Sequence, residues 1–253
     1  MKMHKRLLLG LVGLLCTLAM VFSVQRVGGA LPAIGTVSNL PVIILDPGHG
    51  GQDGGAVGVD KIVEKDINLS IALMLRDQLE ISGFTVVMTR EDDRSIHDEG
   101  IKGAKKQKTS DLHNRLSIMN SYPNALFLSI HQNQFGDSRS NGIQIFYSPN
   151  NEESKELAST IQQNMVEMLQ PENKRLQKSA GKNLFLMYEA QCPAVLIECG
   201  FLSNRTEAYK LADPEYQSKL AFVTLCSVLE YLQVEIPPDM ETQQYNTMTE
   251  ITQ

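Results

Sequence analysis

Two histidines and two glutamates in this 253-residue chain occupy positions from which they could carry out hydrolysis. His49 lies in Asp46-Pro47-Gly48-His49-Gly50-Gly51, after a short apolar run. His131 follows the apolar residues 126–130 and leads into Gln132-Asn133. Glu64 opens a segment with helical spacing, and Glu198 follows Val195-Leu196-Ile197. Two imidazoles and a carboxylate form a donor set of catalytic zinc sites, leaving a fourth position for water. Such N/O donors need no thiolate. A carboxylate directly after a buried strand is costly unless it has a partner or a task. Beside such a centre, Glu198 could take a proton from water and pass it to a leaving nitrogen. Singly, each residue has a plainer reading. A lone histidine is commonly a hydrogen-bonded structural residue, and a glutamate at a helix start is favoured there by the helix dipole.

Their positioning depends on the elements that carry them. The pattern alternates between strands and helices. Strands are expected over 42–45, 84–89, 126–130, 142–147, 184–187 and 194–197. Helices are expected over 64–81, 110–120, 151–169, 208–211 and 216–232, with Ser110 capping the second and Asp111 in its first turn. The polar stretch 92–109, with Lys102, Lys105, Lys106 and Lys108, reads as a long exposed loop. Strands separated by helices imply an α/β fold, a single domain with a mixed, mostly parallel sheet flanked by helices. Ligands gather at the C-terminal ends of such strands. His49 lies just beyond the first strand, and His131 and Glu198 end two others, so three parts of the chain deliver chemistry to one rim. The glycines between Gly48 and Gly58 let backbone approach a bound group closely. They lack the Gly-Lys-Ser/Thr ending of a phosphate loop.

Composition narrows the field. The formal net charge is -6, against a duplex nucleic-acid binder, which needs a basic face. There is no Trp and aromatic residues make up only 6%, so no sugar-stacking module is evident. Cys16, Cys192, Cys199 and Cys226 show no CxxC spacing and read as small buried apolar residues. A disulfide between Cys192 and Cys226 is the one pairing to consider, and nothing in the sequence favours it. Cys199 as a nucleophile would need a basic partner that no feature assigns. At the N-terminus, Lys2, His4, Lys5 and Arg6 precede an uncharged, mainly apolar run over 7–24. This is an export signal or a retained membrane anchor within 1–30, and both place the catalytic domain outside the cytoplasm. A linker over 31–41, a catalytic domain over 42–234 and a disordered tail over 235–253 complete the expected organisation.

The motifs Ile44-Leu45-Asp46-Pro47-Gly48-His49-Gly50-Gly51, Glu64-Lys65-Asp66, Ser129-Ile130-His131-Gln132-Asn133 and Ile197-Glu198-Cys199-Gly200-Phe201-Leu202-Ser203-Asn204 together resemble the zinc-dependent N-acetylmuramoyl-L-alanine amidases. The resemblance runs from about 42 to about 232. It implies a mixed sheet flanked by helices, one Zn2+ per chain held by His49, Glu64 and His131, and Glu198 as the catalytic glutamate. It also implies peptidoglycan as substrate, cut between muramic acid and L-Ala. Met88-Thr89-Arg90-Glu91-Asp92-Asp93, Asp98-Glu99-Gly100-Ile101-Lys102-Gly103 and Asp111-Leu112-His113-Asn114-Arg115 are similar to the sporulation and germination amidases of the CwlD type. That narrower likeness implies action on spore cortex ahead of muramic-δ-lactam formation, between the membranes of the developing spore, and in some spore formers a lipoprotein partner. Met187-Tyr188-Glu189 stands where many members carry an Arg. A catalytically idle wall- or partner-binding module of the same fold and a zinc peptidase acting on wall peptides are the competing readings.

Overall fold

Apolar runs form the middle of a six-stranded sheet, described by a computed structural model over residues 40–234. β1 (Ile43–Pro47), β2 (Val86–Met88), β3 (Leu126–Asn133), β4 (Gln144–Tyr147), β5 (Lys178–Ser179) and β6 (Ala194–Phe201) stand in the order β2-β1-β3-β6-β4-β5. β1 pairs in parallel with β2 and β3, and β3 with β6. β4 joins β6 antiparallel and β5 parallel. The helices are α1 (Glu64–Ile81), α2 (Ala104–Asn120), α3 (Glu153–Leu169), α4 (Phe185–Glu189), α5 (Arg205–Ala212) and α6 (Pro214–Tyr231). The fold is one α/β domain with a mixed, mostly parallel sheet flanked by helices, as the sequence pattern implied. The expected leader over 1–30, the linker up to residue 39 and the tail from 235 lie outside the described residues.

Side chains alternate across a strand, and this alternation places the site. α1, α3 and α6 pack together over one face of the sheet. Ile44, Phe127, Ala194 and Leu196 point to the other face, under Met119 of α2 and Leu186 and Met187 of α4. Further along the same face come Asp46, Ser129, His131 and Glu198. The register sets Asp46 beside Ser129 and His131 beside Glu198. Covered on both faces, the central strands bury nearly every residue.

Several elements differ from the sequence expectation, β5 among them, since no strand was expected over Lys178–Ser179. α2 begins at Ala104, not at Ser110, so the exposed loop ends at Gly103. The run Ala104-Lys105-Lys106-Gln107-Lys108 is made of strong helix formers, and its charge masked that propensity. Ser110 is therefore no cap; its hydroxyl bonds Asp98 from within the helix. The expected strand over 184–187 is instead the start of helix α4; four apolar residues do not distinguish the two conformations. His131 and Glu198 lie within strands that continue to Asn133 and Phe201, with a register shift after His131. Cys192, Cys199 and Cys226 carry free thiols, which removes the disulfide considered for Cys192 and Cys226. No helix among the described residues is long and apolar enough to cross a membrane.

Candidate active site

The loop after β1 brings His49 to the sheet rim in a left-handed backbone conformation, φ 64°. That conformation is uncommon outside glycine and persists only when the surroundings over-determine it. Two buried arginines do so. Arg90 donates from Nε to the Pro47 carbonyl and from Nη2 to the Gly48 carbonyl, each at 2.9 Å. Arg115 donates to the carbonyls of Pro47 at 3.0 Å and His49 at 2.7 Å. Gly48 is required by close approach: a Cβ there would lie 2.2 Å from the His131 ring.

Arg115 is itself held by acids. It pairs with Asp46 at 2.5 Å and with Asp111 at 2.6 Å. Asp46 is fully buried, and burial alone would raise its pKa. The Arg115 charge, with hydrogen bonds from Ser129 and Thr89, holds it below the usual carboxylate range instead.

Glu64 is the first residue of α1 and is buried. Its Oε1 lies 2.9 Å from Nδ1 of His131 and 3.3 Å from Nε2 of His49. The backbone N–H of Gln132 donates to Oε1 at 3.1 Å and that of Ala56 to Oε2 at 2.7 Å. Burial opposes ionisation of Glu64, but the hydrogen bonds and positive charge of the two histidines push its pKa far below the carboxylate range. Nδ1 of His49 is held by Asp53 at 3.0 Å, and Asp53 is paired with Lys108 at 3.0 Å. Burial of His49 works to lower its pKa, yet the bonds to Asp53 and Glu64 raise it to about 9. One donor atom each from His49, Glu64 and His131 lie within 4.8 Å of one another.

The sequence-designated residues therefore converge. His49, Glu64 and His131 meet at one point, and Glu198 borders the same cavity, about 350 Å³ in volume, beside His131. Oε2 of Glu198 is buried and has no hydrogen-bond partner. Burial, with a smaller contribution from Glu64, raises its pKa to about 7 against the pull of His131 and His49. Leu112 of α2 and Leu184, Phe185 and Met187 at α4 complete the apolar wall. Met187 thus lines the cavity. Cys199 is buried, and burial pushes its thiol pKa far up, which excludes a thiolate nucleophile at neutral pH.

A cation fits this arrangement. A carboxylate wedged between two imidazoles presents three donors to a common point, and its other contacts are neutral N–H groups rather than lysine or arginine. The cradle is also tightly fitted: a Cβ at Gly55, φ 69°, would sit 2.5 Å from Glu64 Oε2 and 2.7 Å from the His49 ring. The supporting residues Asp53, Asn68, Arg90 and Arg115 were not assigned from sequence. A signal existed for one of them, Arg115. Asp46 follows an apolar strand and needs a buried cation, and Asp111 and Arg115 are spaced i,i+4 on a helix.

Most of the described chain is similar to known proteins. Residues 43–227 match the family model described as N-acetylmuramoyl-L-alanine amidase. The chain is 40% identical over 190 residues to the germination-specific N-acetylmuramoyl-L-alanine amidase of Bacillus subtilis, covering 75% of this chain and 79% of that protein. The structure of the CwlD amidase from Clostridioides difficile in complex with the GerS lipoprotein is similar with TM-score 0.74 and 41% identity, over 78% of this chain and 100% of that one. The amidase AmiC2 of Nostoc punctiforme is similar with TM-score 0.65 and 27% identity, over 76% of this chain and 97% of that one.

Proposed function

This chain belongs to the N-acetylmuramoyl-L-alanine amidase family, and from that premise we propose that it cuts the muramoyl-L-alanine amide of peptidoglycan with one Zn2+ held by His49, Glu64 and His131 and with Glu198 as proton carrier. The observation that carries this reading is the meeting of the three donors beside a carboxylate, Glu198, whose Oε2 is buried and unpartnered. His49, Glu64 and His131 would hold the ion, which would supply Lewis acidity toward an amide carbonyl and toward water. Glu198 accepts the water proton on its carboxylate and returns it to the departing alanine nitrogen. A pKa of about 7 suits both halves of that task, since efficient proton carriers sit near the working pH. Asp53 holds Nδ1 of His49 and turns Nε2 toward Glu64. Leu112, Phe185 and Met187 give the cavity that Glu198 borders an apolar lining.

Likeness to the germination-specific enzyme supports a role in spore cortex, ahead of muramic-δ-lactam formation. Its place would be outside the cytoplasmic membrane, reached through the N-terminal segment as signal or anchor. The CwlD structure holds its amidase with a lipoprotein, and a lipoprotein partner is proposed here by that likeness.

The test is digestion of purified cortex and vegetative peptidoglycan, with new ends identified by mass spectrometry. Free L-Ala amino termini on an intact glycan are the expected products. Release of D-Ala alone would instead assign a peptidase.

A further inference from the structure

The three donor side chains come from separate stretches of chain: the loop after β1, the first residue of α1 and the interior of β3. One buried residue touches all three stretches. Asn68 is fully buried on α1, one turn beyond Glu64 and on the same face of the helix. Its Nδ2 donates to the carbonyl of Gly48 at 3.2 Å and to Oε1 of Glu64 at 3.4 Å. Its Oδ1 accepts from Nε2 of Gln132 at 3.1 Å. A single amide thus contacts the residue before His49, Glu64 itself and the residue after His131. The other supports reach less. Arg115 and Asp53 hold the His49 loop without a hydrogen bond to Glu64 or the His131 strand, and Arg90 adds the carbonyls of Lys65 and Asp92 but neither of those two.

We propose that Asn68 is a positioning residue that fixes the spacing of the three donor atoms and thereby sets the affinity and geometry of metal binding; this rests on the zinc reading above. The physical case is one of donor supply. When both imidazoles are neutral and turned to a cation, Glu64 keeps only neutral N–H donors: those of Ala56, Gln132 and Asn68. Asn68 is the side chain among them, and it is the one that also reaches across to Gly48. Asparagine has two N–H donors and a carbonyl acceptor, and here all three functions are engaged. An apolar residue would leave the Gln132 amide without its acceptor in a buried place. An aspartate would set a second negative charge against Glu64 and lose both donors.

The test uses the full chain carrying Asn68→Ala or Gln132→Ala, with His49→Ala as control. Zinc affinity is measured by competition with a chelator, and donor geometry by the visible absorption of the Co2+-substituted protein, at temperatures where each variant is folded. Asn68→Ala is expected to weaken zinc binding by about 10- to 100-fold, the usual cost of losing an outer support of a metal ligand, and to shift the Co2+ bands. Gln132→Ala, which removes one arm of the contact, is expected to move both readouts less and in the same direction. It carries the test alone if Asn68→Ala does not fold. Unchanged affinity and an unchanged Co2+ spectrum in either folded variant would overturn the proposal, even with a lowered Tm. A wild-type protein that binds no zinc would overturn the metal reading instead.

Discussion

Oδ2 of Asp53 lies 3.0 Å from Nδ1 of His49, and the two belong to one glycine-rich loop rather than to a helix. The contact leaves Nε2 of His49 facing Glu64, 3.3 Å away. It also gives His49 two tasks that compete. Burial disfavours the imidazolium, but Asp53 and Glu64 more than compensate and raise the pKa to about 9. A proton and a cation therefore contend for the same nitrogen.

Stability and metal affinity should respond to pH in opposite directions. The folded pKa of His49 lies above its unfolded value of 6.5, so between the two the native state holds more protons. In chelator-stripped protein the His49 contribution to stability is full below pH 6.5 and is lost as pH rises through about 9. Zinc needs the neutral ligand, so its dissociation constant should fall across that same window. Asp53→Asn should narrow the window and weaken zinc by about 10- to 100-fold at alkaline pH, where proton competition has gone. Calorimetry of the stripped protein and chelator competition read the two trends. An affinity flat from pH 6.5 to 9 would remove His49 from the ligand set.

Glu198→Gln separates proton transfer from binding. The amide fills the same space but cannot carry a proton, so turnover on peptidoglycan should fall by about 10²- to 10⁴-fold. Zinc content should be unchanged. The stripped variant should also gain thermal stability over wild type above pH 7. Burial raises the Glu198 pKa from 4.5 to about 7, so the native state pays to ionise it as pH rises through that interval. Wild-type turnover in a folded, zinc-loaded Glu198→Gln protein would exclude the assigned role.

Gly48→Ala tests the fit of loop against strand. The added Cβ would lie 2.2 to 2.3 Å from atoms of the His131 ring, which must then move. Overpacking of this kind costs about 1–3 kcal/mol. The displaced ring should lower zinc affinity as well. Unfolding in urea and a metal titration measure the two effects, and unchanged values in both would show that the loop yields freely.

The residues of the candidate site were more legible in the sequence than the side chains that support them. Glu64, His131 and Glu198 stood out because each breaks a local pattern, a polar residue closing an apolar run or opening a helix, and His49 because it sits in a glycine-rich loop just beyond one. Alternation along β3 and β6 then places His131 and Glu198 side by side. Asn68 and Arg90 gave no such signal and become buried only through tertiary packing. The start of α2 was hidden for a related reason. Its lysines suggested a solvated loop, whereas Lys105 and Lys108 border a second cavity next to His49 and Asp53.

Arg115 provides a last test, because its partners are buried acids. Its side chain is 2% exposed, and Asp46 beside it is 1% exposed. Removing one member of such a pair strands the other charge, at a cost of about 3–5 kcal/mol, whereas removing both can be nearly neutral. Arg115→Met should therefore destabilise by that amount in urea unfolding. Asp46→Asn/Arg115→Met should recover much of the loss, with a coupling of about 0.5–3 kcal/mol between the two sites. Zinc affinity should not recover with stability. Arg115 also donates to the carbonyls of Pro47 and His49, and methionine restores neither bond. A double variant with regained stability and weakened zinc binding would separate the two jobs of this arginine: neutralising Asp46 and holding the left-handed backbone of His49 in place. Recovery of both together would reduce Arg115 to a counter-ion.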